Sequence, residues 1–532
     1  MKDLIKTILV ICAGVLLVSC TSYLDINNIN PNQATSSKPN LLLSSALVGT
    51  ASMLEQYNSY GMETAGYGAN AGGYGGFNEF FTYQYTNNTF TGLWSNTYQN
   101  LINYQQIIDI AKADTLHRYN TYEAIAMIMM AHDYQLLIDQ YNDVPYTNAL
   151  RGLANLTPSY DQAPVIYAKL AAKLDSAIAK IHGTFKITPS PIAVTSEDVV
   201  FKGDTVKWLQ LANTLKLKLM VRGRGKVTFT NTSFDPAGFL TKDALINPGY
   251  RNDNGRQNPK WGNWAWDYAG NAINKAWMPS IYVLGFYDGN KIVDDWRGAA
   301  TYFNYSSGTA KISNQLGFED TSVPSCPEGT FWYSGSDRAP VSAGNSQGAM
   351  KGPDASYPLI TAAECNFLRA EAALVGIATP GALTDAQYFK NGITSSFEYL
   401  YSLPNGSQPS GSDYAADAAS YYDPIGVNEG NYLVDYGSAA SLDQKLEAII
   451  TQKYIALNFI HSHEGWNEYR RTHYPIVIPG DELTSFASRK SQSTRADKLP
   501  TRLLYPVSEA RYNPINVPKN ISQFTSLIFW AQ

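Results

Sequence analysis

Residues 450–475 read ITQKYIALNFIHSHEGWNEYRRTHYP, and an apolar helical pattern there runs into a cluster of charged and aromatic side chains. The cluster includes His461, His463 and Glu464, which are residue types that bind metals. Positions two apart do not share a helix face, and no HExxH or comparable spacing occurs in the stretch. We therefore predict a solvated helix end at this cluster and no metal site.

Three further residues of the same stretch invite a functional interpretation. Arginine forks suit carboxylates and sugar hydroxyls, so Trp466, Arg470 and Arg471 could contact a ligand. The alternative is that they join helix ends and loops within the fold. We favour this structural role for all three.

Amphipathic helical patterns precede this stretch and recur near the start of the chain. Ser441 and Gln444 fit a capping box, and Leu446, Ile449 and Leu457 lie on one apolar face. Further helical patterns cover residues 93–113, 122–146, 164–181, 204–223 and 356–376. Successive helices of this kind are typical of tetratricopeptide-type solenoids, although the full consensus of that repeat is absent.

The helical pattern is interrupted between residues 226 and 354, where Gly, Asn, Ser and Pro clusters alternate with short apolar runs. The runs at 226–230, 301–305 and 330–334 could form short strands. We predict a mainly α fold, in which tetratricopeptide-like helical pairs carry an irregular, loop-rich lobe containing short strands.

Five segments of the chain, taken in order, carry a resemblance to a known family. They are IDQYNDVPYTNAL at 138–150, FKGDTVKWLQLANTLKLKLMVR at 201–222, PLITAAECNFLRAEAALVG at 358–376, the opening stretch at 450–475 and TRLLYPVSEARYNPIN at 501–516. Together they resemble the SusD/RagB family of outer-membrane nutrient-binding lipoproteins. In the opening stretch the matching residues are Gln452, Lys453, Trp466, Asn467, Tyr469, Arg470, Arg471, Thr472 and Pro475. The sequence Asp295-Trp296-Arg297 departs from the family's frequent Asp-Pro-Arg, so we expect a differently built turn there.

The resemblance implies both a fold and a function. SusD-like proteins have a helical, tetratricopeptide-containing scaffold with an irregular lobe, and they are not enzymes. They lie over a SusC-like TonB-dependent transporter in the outer membrane and help to capture a nutrient, usually a glycan and sometimes a peptide. For this chain the resemblance implies an oligosaccharide ligand, a transporter partner and no cofactor.

The first twenty residues, MKDLIKTILVICAGVLLVSC, have the pattern of an export signal. Lys2 and Lys6 precede an apolar run over 8–18, which is too short to span a bilayer. The ending LVSC at 17–20 resembles the lipobox of bacterial lipoproteins, in which cleavage precedes a cysteine that then carries lipid. We therefore predict that Cys20 is lipidated and anchors the protein at the cell surface of the outer membrane. The alternative is an ordinary signal peptide with an incidental cysteine.

These patterns divide the chain into three parts. We predict a lipoprotein signal peptide over 1–19, a polar tether over 20–40 and a single SusD-like domain over 41–532. Within that domain we place a helical scaffold over 41–225 and 355–475, an irregular lobe over 226–354 and a closing segment over 476–532.

Composition narrows the class of partner. The 532-residue chain has a formal net charge of -5, which argues against a nucleic-acid partner because such proteins present a basic face. Its 37 tyrosines offer flat apolar faces with a polar tip, which suit ring-shaped ligands. Once the signal is removed and Cys20 is lipidated, Cys326 and Cys365 remain. They could form one disulfide, and their spacing does not make a metal site.

Loop aromatics with polar neighbours are the best candidates for a sugar site, because sugars offer apolar C–H faces to rings and hydroxyls to amides. Two stretches qualify, PKWGNWAWDY at 259–268 and GYGANAGGYGGFNEFF at 66–81. In an extended chain, Trp264, Trp266 and Tyr268 would share one face. The alternative is that these rings pack inside the protein. The predicted ligand-contact residues are Trp261, Trp264, Trp266, Tyr74, Phe77 and Asn78, and TFWYSG at 330–335 is a weaker candidate.

Other ligands and activities remain open. A glycosidase needs two carboxylates across a sugar ring, and nothing in the sequence selects a pair. No GxSxG or P-loop motif is present. Calcium could bind Asp288, Asn290, Asp294 and Asp295, although they lack EF-hand spacing. We predict a non-enzymatic binding lipoprotein that passes an oligosaccharide to a TonB-dependent transporter. The alternatives are a peptide ligand or, less favoured, a secreted glycoside hydrolase.

Overall fold

The computed structural model describes residues 38–184, 190–302, 305, 313–325, 347–381 and 383–532. The α-helices of these residues are α1 (Pro39–Thr64), α2 (Asn78–Thr82), α3 (Thr91–Ala113), α4 (Asn120–Tyr141), α5 (Ala163–Thr184), α6 (Thr205–Arg222), α7 (Pro259–Trp264), α8 (Ile281–Leu284), α9 (Asp295–Thr301), α10 (Ala362–Leu374), α11 (Asp385–Tyr401), α12 (Tyr414–Tyr421), α13 (Leu442–Ala456), α14 (Ser462–Thr472) and α15 (Val507–Tyr512). The strands are β1 (Gly68–Asn70), β2 (Val144–Pro145), β3 (Tyr160–Asp161), β4 (Ala244–Ile246), β5 (Trp277–Pro279) and β6 (Tyr357–Ile360). The fold is mainly α, as the sequence predicts.

Neighbouring helices in the chain pack against one another to form the scaffold. Helix α3 packs between α1 and α4, and α5 packs between α4 and α6. Helix α10 packs on α11 and α13, and α14 returns to pack on α1. Helix α4 is buried along almost its whole length, because its apolar residues cover most of its sides. These contacts confirm the predicted stacked helical pairs.

Short-range signals set the helix ends. The Asp204 carboxylate accepts hydrogen bonds from the backbone amides of Val206 at 3.1 Å and Lys207 at 3.2 Å, which caps the start of α6. The Ser441 hydroxyl accepts from the Gln444 amide at 3.2 Å, which is one half of the predicted capping box. The Gln444 side chain accepts from the Ala440 amide at 2.6 Å instead of from Ser441. Gly376 has φ of +80° just after α10, a conformation that favours glycine and ends the helix.

The sequence did not indicate α1, and the predicted tether extends into its first turn. Thr50, Glu55 and Asn58 are buried on this helix beside apolar residues, so its sequence lacks a clear amphipathic stripe. Pro39 stands in the first turn, a position that a proline tolerates because the backbone amide there needs no helical partner. Helices α11 and α12 also lie within the predicted scaffold, in a part where no helical pattern was identified.

The short strands β4 and β5 of the irregular lobe lie outside the three predicted runs. Residues 226–230 form no strand, and Val227 and Phe229 pack against the core from a loop. Residues 330–334 lie outside the described residues. Instead β1 pairs with β5, β2 with β3 and β4 with β6, each pair antiparallel. One hydrophobic core runs from Leu43 to Ala531 through both the scaffold and the lobe.

The Asp-Trp-Arg sequence begins helix α9. Asp294 caps this helix by accepting from the Arg297 amide at 3.1 Å, and its carboxylate also accepts from Arg297 Nε at 2.6 Å. Arg297 is fully buried and donates to Gln452 Oε1 at 2.9 Å, which ties this turn to the opening stretch. Trp296 lies half-buried beside Tyr421. A buried ion pair therefore fixes the turn in which the family often has a proline.

Candidate ligand-binding surface

The pairing of β1 with β5 brings the two aromatic stretches together. Asn70 pairs with Trp277, and the Ala71 amide donates to the Ala276 carbonyl at 2.8 Å. The glycine-rich loop leaves β1 at the end where the tryptophan-rich segment enters β5. Two regions about two hundred residues apart are therefore joined at this strand pair, which no local pattern in the sequence could reveal.

A tight hairpin over 265–273 displays Tyr268 at its tip. The Asp267 carboxylate accepts from the backbone amides of Ala269 at 2.9 Å and Asn271 at 2.8 Å, and from the Asn271 side chain at 2.9 Å. The Asn271 hydrogen bonds lower the pKa of Asp267. Tyr268 is 51% exposed, and Trp266, two residues earlier in the chain, is half-buried. The hairpin thus holds both rings at the surface on a defined backbone.

Trp261 and Trp264 lie in the core instead. They occupy α7, not an extended segment, so residues three apart share one face, and that face points inward. Trp261 is 1% and Trp264 is 2% exposed. Trp264 Nε1 donates to Glu55 Oε1 at 2.8 Å. The Trp264 and Phe459 rings pack edge to face, with their centres 5.0 Å apart. The prediction of a shared exposed face is wrong because the segment is helical up to Trp264.

The glycine-rich loop holds one exposed and one buried predicted ring. Tyr74 is 36% exposed, and Asn78 is exposed at the start of α2. Phe77 is buried, because its ring stacks on Phe81 at 4.8 Å and meets Trp277 edge-on at 5.2 Å. Phe77 therefore anchors the loop, while Tyr74 and Asn78 face solvent.

A third segment, residues 313–325, is fixed beside this loop by the buried side chain of Asn70. Asn70 Nδ2 donates to the Phe318 carbonyl at 2.8 Å, and Asn70 Oδ1 accepts from the Gly317 amide at 2.9 Å. The Gly72 amide donates to the Pro324 carbonyl at 3.0 Å. A Cβ at Gly72 would lie 1.9 Å from the Val323 carbonyl oxygen, so only glycine fits this approach.

A cavity of about 700 Å³ adjoins this segment, and its residues were not predicted. Arg489 donates to Gln315 Oε1 at 2.6 Å and to Glu482 Oε2 at 3.0 Å. The Arg489 guanidinium also lies 4.3 Å from the centre of the Phe318 ring. The lining comes from residue 315 and from 479–498, so no single stretch of sequence marks the cavity.

The arrangement suits the recognition of a polar ring-shaped molecule. Tyr74, Trp266 and Tyr268 offer ring faces or edges to apolar C–H groups. The Asn78 amide, together with the Arg489 and Gln315 side chains near the cavity, offers donors and acceptors for hydroxyls. Of the six predicted ligand-contact residues, Tyr74, Asn78 and Trp266 reach the surface, and Trp261, Trp264 and Phe77 support it from within.

The predicted solvated helix end is instead buried, which corrects the interpretation of His461, His463 and Glu464. All three residues are at most 2% exposed. Burial lowers the pKa of His463 well below its ordinary value, so its imidazole is neutral at neutral pH. Burial alone would raise the pKa of Glu464, but the charges of Arg222 and Lys218 hold it well below its ordinary value. The helix end can be buried because its charges are paired within the protein.

Both arginines of the opening stretch are likewise bonded within the protein. Arg471 donates to Glu371 at 2.7 and 2.8 Å and also contacts Glu468. Arg470 donates to the carbonyls of Thr501 at 3.0 Å and Asp139 at 2.7 Å. These contacts join α4, α10, α14 and the closing part of the chain, which is the structural role that we favoured.

Metal-binding groups of three or more His, Cys, Asp or Glu side chains are absent from the described residues. Of the four residues considered for calcium, Asp294 is occupied by Arg297, and both Asp288 carboxylate oxygens accept from Asn290 Nδ2. Cys365 is buried 3.6 Å from Thr214 Oγ1. Cys20, Cys326 and TFWYSG at 330–335 lie outside the described residues, so the lipidation and the disulfide stay predictions.

Two family models match the sequence. One, described as starch-binding and associating with the outer membrane, matches residues 31–231. The other, described as Susd and RagB outer membrane lipoprotein, matches residues 336–526. No curated protein matches the sequence. Within the described residues, no helix is both long and apolar enough to cross a bilayer.

Solved structures share this fold. A SusD/RagB family protein from Bacteroides thetaiotaomicron is 18% identical, with a TM-score of 0.66, and the match covers 93% of this chain and 99% of that one. A chitin-binding SusD homologue from Flavobacterium johnsoniae is 20% identical, with a TM-score of 0.61 and coverage of 91% and 98%. Another chain, named a chitin-binding protein, is 20% identical, with a TM-score of 0.65 and coverage of 93% and 100%.

Proposed function

Because this chain belongs to the SusD/RagB family, we propose that it is a lipid-anchored protein of the outer-membrane surface that captures a nutrient oligosaccharide. We further propose that it passes the oligosaccharide to a SusC-like TonB-dependent transporter. Support for the glycan comes from the family description as starch-binding and from two chitin-binding proteins of the same fold. Lipidation of Cys20 and export by residues 1–19 complete the proposal.

The observation that carries the binding proposal is the convergence of two ring-bearing loops at the β1–β5 pair. Tyr268 stands on a hairpin fixed by Asp267, and Tyr74 stands on a loop fixed by Phe77 and Gly72. Loops that carry exposed rings on a rigid scaffold are well suited to binding. We therefore place the oligosaccharide against Tyr74, Asn78, Trp266 and Tyr268, with Arg489 at its polar end.

Calorimetry of the purified protein against a panel of oligosaccharides tests the ligand class. We expect saturable binding of one glycan class. Binding of peptides and of none of the glycans would replace the oligosaccharide by a peptide ligand. Product analysis of the bound glycan tests the non-enzymatic role, because release of shorter sugars would show a glycoside hydrolase.

We propose that two neighbouring loops, over 153–157 and 512–516, form the contact surface for the transporter. Leu153 is 92% and Ile515 is 87% exposed. The Asn516 side chain donates to the Thr157 carbonyl at 3.0 Å and holds the two loops together. A contiguous exposed apolar patch is typical of a protein interaction site. We define Leu153, Leu156, Tyr512 and Ile515 as the apolar patch.

A further inference from the structure

A second cavity of about 640 Å³ lies in the helical scaffold and shares no residue with the proposed oligosaccharide surface. It is lined by α3, α4, α5 and the loop that follows β2. Lys169 and Lys173 are four apart on α5, as Met130 and Tyr134 are on α4, so each pair shares a helix face. Its volume is within the range of roughly 300–1,000 Å³ that small-molecule sites occupy.

The lining of this cavity is strongly cationic. Lys112, Arg151, Lys169 and Lys173 line it, against the single carboxylate of Asp109. Asp109 accepts a hydrogen bond from Gln105 at 2.8 Å, which is also a lining residue. The chain as a whole has a net charge of -5, so this concentration of positive charge is a local feature.

Most of this positive charge is not neutralised by the protein. Lys169 Nζ lies 3.6 Å from Asp161 and donates to Thr147 Oγ1 at 2.8 Å. Arg151 donates to the Thr147 carbonyl at 3.1 Å. Within the part of the chain that the structure describes, Lys112, Arg151 and Lys173 form no ion pair. An anion in the cavity would supply the missing counter-charge.

Two tyrosines give the cavity a defined wall beside these cations. The Tyr146 ring centre lies 5.8 Å from Lys169 Nζ and 5.9 Å from Lys173 Nζ. Tyr134 is almost fully buried, and its hydroxyl has no hydrogen-bond partner among the described residues. A buried hydroxyl without a partner is costly, so a ligand acceptor would stabilise it.

The electrostatic state of Lys173 agrees with an anion site. Burial lowers the pKa of Lys173, and the charge of Lys112 lowers it further, while Glu123 acts in the opposite direction. Glu123 is paired with Lys180 at 2.8 Å. A bound anion between Lys112 and Lys173 would relieve their mutual repulsion.

We propose that this cavity binds a tetrahedral oxyanion, a phosphate or sulfate group, between Lys112 and Lys173 and against Tyr134 and Tyr146. The group can come from a free small molecule or from a lipid headgroup, since both carry the same chemistry. The site is additional to the proposed oligosaccharide surface and does not depend on it.

Calorimetry with inorganic phosphate and with sulfate tests the site for free anions, and co-sedimentation with phosphatidylglycerol vesicles tests it for lipid. Phosphatidylcholine vesicles and acetate are the comparison probes. We expect saturable binding of phosphate, sulfate or phosphatidylglycerol vesicles. Loss of a charged hydrogen bond should make Lys112→Met and Lys173→Met each bind about 10- to 100-fold more weakly.

Lys207→Met is the matched control, because Lys207 is an exposed lysine on α6 outside the cavity. It should bind as the unaltered protein does. Lys112 is exposed, so its substitution leaves the fold intact even if that of Lys173 does not. No binding of any probe, equal binding of acetate, or equal weakening by Lys207→Met and Lys112→Met would overturn the proposal.

Discussion

At the residue scale, the buried guanidinium of Arg222 is enclosed by three carboxylates. Its guanidinium lies 2.5 Å from Asp139, 2.5 Å from Glu464 and 2.9 Å from Glu468, and all four side chains are buried. Lys218 lies 2.8 Å from Glu464 in the same cluster. Burying ions is costly, and the cost is offset here because opposite charges surround one another. The stretch over 450–475 is therefore held in the core by electrostatic pairing.

Arg222→Met should be strongly destabilising. It removes the cation that faces three buried carboxylates, and breaking a buried pair costs about 3–5 kcal/mol. Urea unfolding followed by tryptophan fluorescence measures this loss. Arg251→Met is the control, because Arg251 is exposed and pairs with exposed Asp253, so it should cost less than about 1 kcal/mol. Equal losses in the two variants would contradict the role of the cluster.

The stability that Glu464 contributes should depend on pH. Its pKa in the folded protein lies well below the ordinary value of 4.5 because Arg222 and Lys218 outweigh the effect of burial. A depressed pKa gives stability that is present above about pH 4.5 and lost as the pH falls below it. The difference in free energy of unfolding between the unaltered protein and Glu464→Gln should therefore shrink on acidification below pH 4.5. A difference that grows in urea titrations at successive pH values would contradict this.

At the element scale, sequence patterns predicted the strongly periodic helices and missed the elements that build the site. The predicted helix over 93–113 corresponds to α3, and that over 164–181 to α5, because one apolar stripe on each faces the core. Strand β1 has three residues and its partner lies far away in sequence, so no alternation was available to detect it. The hairpin that carries Tyr268 depends on Asp267 and on the end of α7, which an aromatic alternation pattern cannot show.

Asn70→Ala should loosen the segment beside the glycine-rich loop. It removes the hydrogen bonds to the Gly317 amide and the Phe318 carbonyl. The carbonyl keeps its bond from Asn314 Nδ2 at 3.0 Å, so the Gly317 amide is the group left without its partner, at a cost of about 1–3 kcal/mol. Hydrogen exchange of the Gly317 amide should become faster, since it loses its acceptor. Asn254→Ala is the control, because Asn254 is exposed. Unchanged exchange at Gly317 in Asn70→Ala would show that Asn70 does not anchor this segment.

At the scale of the whole molecule, scaffold and lobe are built on one core. Strand β4 of the predicted lobe pairs with β6 of the predicted scaffold, and Glu55 of α1 accepts from Trp264 of α7. The sequence predicted the fold through the family resemblance, and three of the six predicted ligand-contact residues, Tyr74, Asn78 and Trp266, lie at the surface. It could not separate Trp264 from Trp266, because the end of a short helix between them decides which ring is buried.

Substitutions in the apolar patch should weaken association with the transporter. A charge at Leu153 or Ile515 would have to be desolvated on contact, so Leu153→Asp and Ile515→Asp should reduce co-purification of a TonB-dependent transporter from host outer membranes. Ile425→Asp is the control, because Ile425 is 82% exposed in a different loop. The transporter is identified by mass spectrometry. Full recovery of the transporter with both patch variants would exclude this surface.

The most direct test of the central claim compares glycan affinity in two variants of the purified protein. Trp266→Ala with Tyr268→Ala removes the ring surface of the hairpin, whereas Tyr512→Ala removes an exposed ring elsewhere. Calorimetry with the glycan identified in the panel should show that the double variant binds at least about 30-fold more weakly than the unaltered protein, because losing a dominant contact costs about 2 kcal/mol. Tyr512→Ala should bind as the unaltered protein does. Unchanged affinity in the double variant would contradict the account.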